Sequence, residues 1–200
     1  MATADEIQQV LPELWVWQAY ETAAKCDLSS TLLRVEGRLL LIDPIRLQPD
    51  ALAELASLGT PELIILTNAN HARAAAWFKE RFGIPIAADA EATADLEVAP
   101  DQILQEGAIL PGGVQVLRLP GAVAGEIALH SPNGVLCIGD ALIHLEPLGF
   151  SLLPDKYCAD PKRLRDSLRK LLPHPVRVLT FAHGVPIVER AQARLAALLA

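Results

Sequence analysis

The chain reads as an α/β protein in which two β-rich halves pack as two sheets with helices outside. Three observations predict this. Short runs such as Leu63-Ile64-Ile65-Leu66 are wholly apolar, as in strands covered on both faces. The order of elements is β-rich, then αβαβ, then β-rich, then αβα, giving two mixed halves of similar size. Pro and Gly are spread through the chain, with no linker, repeat or low-complexity segment, so residues 1–200 form one domain. A chain of 200 residues with 52% hydrophobic content is enough for one sizeable core.

The elements follow in order. Leu14-Trp15-Val16-Trp17 reads as a first strand, and Thr31 to Val35 and Arg38 to Ile42 as a hairpin. Glu36-Gly37 is its two-residue turn, with glycine supplying positive φ. Asp43-Pro44 stops the second strand. Asp50 to Leu58 has helical spacing and ends at Gly59 and Pro61. After the strand Leu63 to Leu66, Ala72 to Phe82 reads as a helix closed by Gly83. Ile84 to Ala87 reads as a strand and Asp89 to Leu96 as a short helix. Val114 to Leu119, Glu126 to His130 and Val135 to Ile138 form a second β block, with Ser131-Pro132-Asn133-Gly134 as a turn. Asp160-Pro161 starts a helix that runs to about Leu172. Val176 to Phe181 is the last strand and Ile187 to Ala200 the last helix.

Net charge is −7 and the pI about 5.2. An acidic surface disfavours phosphate backbones and anionic membranes, so the expected partners are a small-molecule ligand or an unknown protein, with no nucleic acid and no membrane. The basic run Lys162 to Lys170 reads as a solvated helix face. Residues 2–6 carry neither a basic start nor an apolar stretch, and no run reaches the roughly 18 residues that span a bilayer. Cys26, Cys137 and Cys158 are far apart and form no Cys-x-x-Cys pair. These features predict a cytoplasmic protein with buried, reduced thiols. The last helix, rich in Ala and Leu, suits either a homodimer contact or ordinary core packing.

Five short segments carry a resemblance. Thr67-Asn68-Ala69-Asn70-His71-Ala72-Arg73 joins a strand to a helix. Arg38 to Pro44 contains Leu41-Ile42-Asp43. Leu119-Pro120-Gly121-Ala122-Val123-Ala124-Gly125 is a turn. Cys137-Ile138-Gly139-Asp140 ends a strand, and Phe181-Ala182-His183-Gly184 follows the last one. In this order the segments resemble the metallo-β-lactamase superfamily, an αββα sandwich, over nearly the full length. The resemblance implies a dinuclear metal site in a hydrolase. It also implies that the three first-site histidines fall on Asn68, Asn70 and Ala122. The second-site Asp and His fall on Ala72 and Arg73, and Asp140 and His183 keep the family's residue types.

Neutral amides and a methyl group do not replace histidine as zinc ligands. The leading expectation is therefore a metal-free family member, inactive or acting as a binding protein. In it, the Arg73 guanidinium takes the place of the second metal and pairs with Asp140. An Arg73 turned to solvent is the other reading. Asn68 and Asn70 suit caps of the strand-to-helix turn as well as ligand contacts. His183 suits a general base or a loop-holding side chain. No cofactor is expected. The alternative is an atypical hydrolase of an ester or thioester that holds one weakly bound Zn, Mn or Fe at His71, Asp140 and His183. In both readings Asp140 and His183 are the candidate catalytic residues. His130, His144 and His174 lack ligand spacing, and no nucleotide-binding loop or nucleophile elbow is present.

Overall fold

The structure, a computed structural model, describes residues 2–200. In chain order the strands are β1 (Thr3–Ala4), β2 (Gln8–Leu11), β3 (Leu14–Glu21), β4 (Cys26–Val35), β5 (Arg38–Ile42), β6 (Arg46–Leu47), β7 (Leu63–Leu66), β8 (Ile86–Asp89) and β9 (Gln102–Leu104). There follow β10 (Ile109–Leu110), β11 (Val114–Arg118), β12 (Ile127–His130), β13 (Val135–Ile138), β14 (Leu142–Leu145), β15 (Gly149–Leu152) and β16 (Val178–Phe181). The helices are α1 (Pro49–Ser57), α2 (Ala75–Phe82), α3 (Pro161–Leu168) and α4 (Ala191–Leu198).

Two large sheets form, as the order of elements predicts. The first has the order β2-β3-β4-β5-β7-β8-β9 and the second β10-β11-β12-β13-β16; β14 and β15 make a separate ribbon. Strands β7 and β13 are apolar along their whole length and buried throughout, because each is covered on both faces. One face of each sheet meets the other in a shared core that includes Leu33, Leu40 and Ile65 from the first and Val116, Leu129 and Val135 from the second. The outer face of the first sheet packs Leu41, Ile64 and Leu66 under Leu55 of α1 and Phe78 of α2. The outer face of the second packs Leu136, Ile138 and Leu179 under Leu164 of α3 and Leu195 of α4. The result is a four-layer αββα sandwich.

The differences from the sequence reading have local causes. Strands β3 and β4 are longer than the apolar runs, because their polar ends pair with each other from Gln18↔Ser29 to Glu21↔Cys26. The helix read from Ala72 begins at Ala75, since residues 69–71 form a single 3-10 turn and Arg73 takes a φ of 38°. Residues 89–96 give only a 3-10 turn at Ala90–Ala92, which the buried Asp89 carboxylate starts by accepting the Glu91 N–H while pairing with Arg118. The ribbon β14–β15 is absent from the sequence reading. Glu36 and Gly37 both take positive φ, as a tight hairpin turn requires. No helix is long and apolar enough to cross a membrane among the described residues.

The C-terminal ends of β5, β7, β13 and β16 meet at one edge of the sandwich, and the loops there carry the chemistry. The loop after β16 is held from two sides. The His144 amide donates to the His183 carbonyl at 3.1 Å, while Ser29 Oγ and Gln18 Nε2 donate to the Gly184 carbonyl at 2.8 and 2.6 Å. Gly184 has a φ of 98°, and a Cβ there would lie 1.8 Å from the His144 carbonyl oxygen. Gly184→Ala is expected to lower the unfolding free energy in urea by about 3 kcal/mol or more, combining strained φ with a backbone clash.

Candidate functional site

Asp43 follows β5 with a φ of 47° and is buried. Its carboxylate accepts the Thr67 N–H at 2.8 Å and the Thr67 hydroxyl at 2.5 Å, and lies 3.0 Å from His71 Nδ1. Thr67 ends β7. Beyond it, Asn68 Oδ1 accepts the Asn70 N–H at 2.9 Å and starts the 3-10 turn that turns His71 inward. His71 is buried, with its Nε2 3.2 Å from Asp140 Oδ1. Asp140 follows β13. His183, in the loop after β16, places its own Nε2 3.1 Å from the same oxygen. Gly139 permits this approach: a Cβ there would meet Thr67 Oγ1 at 2.6 Å and Glu126 Oε1 at 2.7 Å.

Both contacts to Asp140 Oδ1 are at ion-pair distance, but neither has the alignment of a hydrogen bond. Asp140 Oδ1 and His71 Nε2 are buried and without a hydrogen-bond partner. The other ring nitrogens face acceptors: His71 Nδ1 faces Asp43, and His183 Nδ1 faces the Asp27 carbonyl at 3.0 Å. Two imidazoles therefore direct their Nε2 atoms, beside one carboxylate oxygen, toward a common space. The ligand atoms of His71, Asp140 and His183 lie within 4.8 Å of one another.

Burial works against every charge here, yet His71 and Arg73 hold the Asp43 carboxyl below the ordinary aspartate value. Asp140, also buried, is held well below it by His71 and His183. Burial lowers the basicity of both imidazoles, but Asp43 raises His71, and Asp140 raises His183, above the usual histidine value. The aspartates thus draw positive charge into the cluster.

A second buried group lies alongside. Glu126 accepts Asn68 Nδ2–H at 2.8 Å and the Ala141 N–H at 2.9 Å, so one carboxyl ties the His71 turn to the Asp140 turn. Burial, then the neighbouring Asp140 charge, push Glu126 well above the ordinary glutamate value. A cavity of about 650 Å³ opens over the cluster, lined by His71, Arg73, Asp140 and His183 among others.

Comparison with known proteins now bears on this geometry. The model of the metallo-beta-lactamase superfamily matches residues 8–200. The chain belongs to the metallo-β-lactamase superfamily. Its fold is similar to the DIM-1 metallo-beta-lactamase, at 13% identity over 100% of this chain and 98% of that one, with a TM-score of 0.78. It is similar to a metallo-beta-lactamase from Pontibacter korlensis, at 16% identity over 97% and 98% of the two chains, with a TM-score of 0.74. TTHA1623, solved in a di-iron-bound form, is 29% identical over 84% of this chain and 94% of its own, with a TM-score of 0.63. No curated protein sequence matches the chain significantly.

Within this superfamily fold the residues singled out in the sequence divide. Asp140, His183 and His71 come together. Asn68 is buried and bonded to Glu126, Asn70 is exposed, and Ala72 and Ala122 are buried in apolar clusters. Arg73 departs from both readings of it. It turns inward, but does not pair with Asp140. Its Nη1 donates to the carbonyls of Ser29 at 2.7 Å and Asp43 at 3.0 Å, and its Nη2 to that of Ala182 at 3.1 Å. The left-handed backbone at Arg73 sends the side chain under the ends of β4, β5 and β16, where three carbonyls converge.

Cys137 and Cys158 sit as buried and half-buried thiols, and burial pushes Cys137 up to about 12. Cys26 instead lines the cavity, with Sγ 3.6 Å from His183 Nδ1. The sequence reading gave no site role to Asp43 or Glu126. Each lies inside a recognised segment or next to one, which was the available signal.

Two outcomes test these links. Arg73→Ala removes a charged donor from three inward carbonyls, of which Asp43 keeps the Ser30 hydroxyl and Ala182 the Ser29 N–H, and is expected to cost about 3 kcal/mol in urea unfolding. Arg73→Lys recovers only part of this, because a point charge cannot serve three carbonyls in a planar fork. Glu126→Gln sets an amide N–H against one of two buried donors. Asn68→Asp supplies the missing acceptor, so the double variant should be more stable than Glu126→Gln alone by about 1 kcal/mol.

Proposed function

We propose that the protein is a metal-dependent hydrolase of the metallo-β-lactamase superfamily that works with one metal ion rather than two. The observation that carries this is the convergence of His71 Nε2 and His183 Nε2 on Asp140 Oδ1 at 3.2 and 3.1 Å, with the three ligand atoms within 4.8 Å of one another. Zinc bonds of about 2.0–2.1 Å place neighbouring tetrahedral ligands roughly 3.3 Å apart. The two contacts to Asp140 Oδ1 have that spacing. Three protein ligands with a position facing a cavity is the arrangement of a catalytic metal site. Two imidazoles and a carboxylate suit zinc, iron or manganese.

The residues do not fit a paired-metal centre. On the first-site positions, the Asn68 amide is committed to Glu126 and the Asn70 N–H, and Ala122 offers only a methyl group. On the second-site positions, Ala72 has no donor, and Arg73 brings a fixed positive charge that would repel a further cation. His71 compensates from a position the family motif leaves as a spacer.

The chain's own groups perform recognisable tasks around such a site. Asp43 orients the His71 ring through Nδ1, and the Asp27 carbonyl does so for His183. These partners fix the rings and raise ligand basicity. A bound metal would displace the protons that the aspartates draw onto the imidazoles. It would supply Lewis acidity toward an acyl carbonyl, as in ester or thioester hydrolysis. His183 is then a ligand and not a free base. The cavity walls limit the water around the reacting bond.

The test is metal content by elemental mass spectrometry after incubation with zinc, iron or manganese and desalting. One equivalent is expected in the wild type, lost in His71→Ala and in Asp140→Ala, together with hydrolysis of a p-nitrophenyl ester. Retention of the metal in His71→Ala would overturn this ligand set. Metal no higher in the wild type than in Asp140→Ala would leave the protein as a metal-free binding protein.

A further inference from the structure

We propose that the acyl half of the substrate is an extended apolar group, seated against the wall formed by the ribbon β14–β15 and the turn that follows it. This inference rests on the hydrolase reading for the reaction but on separate residues for the binding. The cavity over the cluster measures about 650 Å³, within the roughly 300–1,000 Å³ of small-molecule sites. His71, Asp140, His183 and Arg73 form a polar floor, and Glu21, Lys25 and Asn70 are the other polar or charged groups in the lining. Its wall is apolar and includes Ile143, Leu145, Leu148, Leu153 and Tyr157.

The ribbon belongs to neither large sheet. Alternation along β14 separates its faces. Leu142 points into the outer core, while Ile143 and Leu145 line the cavity. Two large side chains of this wall are exposed: Leu148, in the turn between the two strands, is 59% exposed, and Tyr157, in the 3-10 turn after β15, is 60% exposed. Both stand at the cavity mouth. Large apolar groups exposed together at the lip of a cavity that leads to a reactive cluster mark a surface that a ligand covers.

The opposite rim narrows the ligand class. It carries Glu21 and Lys25 from the β3–β4 hairpin, and Glu21 already accepts the N–H groups of Ala2 and Ala23. Lys25 stands on this rim and Lys156 lies over the Tyr157 ring, 4.6 Å from its centroid, while the Arg73 guanidinium is held by three backbone carbonyls, so neither lysine belongs to the apolar wall. The acyl part that fits is an uncharged hydrocarbon chain or ring bearing the ester or thioester carbonyl at the cluster end.

The test uses straight-chain carboxylates from acetate to decanoate, below their micellar concentrations. Their ability to displace a fluorescent naphthalene sulfonate is measured on the metal-free full chain. Hydrolysis of the matching p-nitrophenyl esters is measured on the metal-loaded protein. Displacement should strengthen by roughly threefold per methylene until the wall is covered. Leu148→Ser and Tyr157→Ser, both at exposed positions, should flatten that series.

A chain-length series without hydrolysis supports the acyl wall and overturns the hydrolase reading. Hydrolysis with no preference from acetate to decanoate, and no displacement series, overturns the acyl wall alone. A series that both serine variants leave unchanged overturns the assignment to this wall. Absence of both series and hydrolysis overturns both readings.

Discussion

Burying the Asp43 carboxylate is the constraint on which the rest of the site depends. A charge enclosed between two sheets needs partners on every side. Asp43 finds them in Thr67, whose N–H and hydroxyl both point at it, and in His71. Its backbone carbonyl receives the Ser30 hydroxyl and the Arg73 guanidinium. The ends of β4, β5 and β7 are joined through this one residue. The direction in which His71 presents its second nitrogen follows from it.

From that joint the arrangement propagates outward. With Nδ1 turned to Asp43, the only direction left for His71 Nε2 is toward Asp140. Glu126 fixes the peptide after Asp140 and the amide of Asn68, so the two turns that face each other share one buried carboxyl. Arg73 closes the third side by gathering carbonyls from β4, the Asp43 turn and the loop after β16. The left-handed backbone at both Asp43 and Arg73 is strain retained at a functional centre, where surrounding contacts over-determine the conformation.

Arg73 and His71 exchange the roles that their positions suggest. The motif resemblance would make the arginine a ligand, yet it acts as a clamp on the backbone. The same resemblance would make the histidine a spacer, yet it reaches the centre. A guanidinium is long, planar and rich in donors, so it reaches past the aspartate to three carbonyls at once, adding to the Ser30 hydroxyl on Asp43 and the Ser29 N–H on Ala182. An imidazole is short and has one nitrogen on each side, so with Nδ1 on Asp43 it presents Nε2 beside Asp140. Side-chain geometry, more than alignment position, decides which group faces the cavity.

The sequence by itself determined the sandwich and the strand ends that carry the site. Leu63 to Leu66 and Val135 to Ile138 are apolar at every position, and only double burial accommodates that pattern. Asp140 and His183 were legible because each ends a recognisable segment. The roles of Asp43 and Glu126 were decided by tertiary structure alone, while His71 was one of two readings in the sequence until the fold brought it beside Asp140 and His183. Their partners lie far away in sequence: Asp43 meets Thr67 across 24 residues, and Asn68 meets Glu126 across 58. The ribbon β14–β15 escaped the reading for a related reason. Ile143 and Leu145 of β14 line the cavity and β15 is half-buried throughout, so the ribbon shows neither a continuous apolar run nor a clear polar face toward water. Local pattern records which face of an element is buried; which charged groups share that burial depends on how the sheets meet.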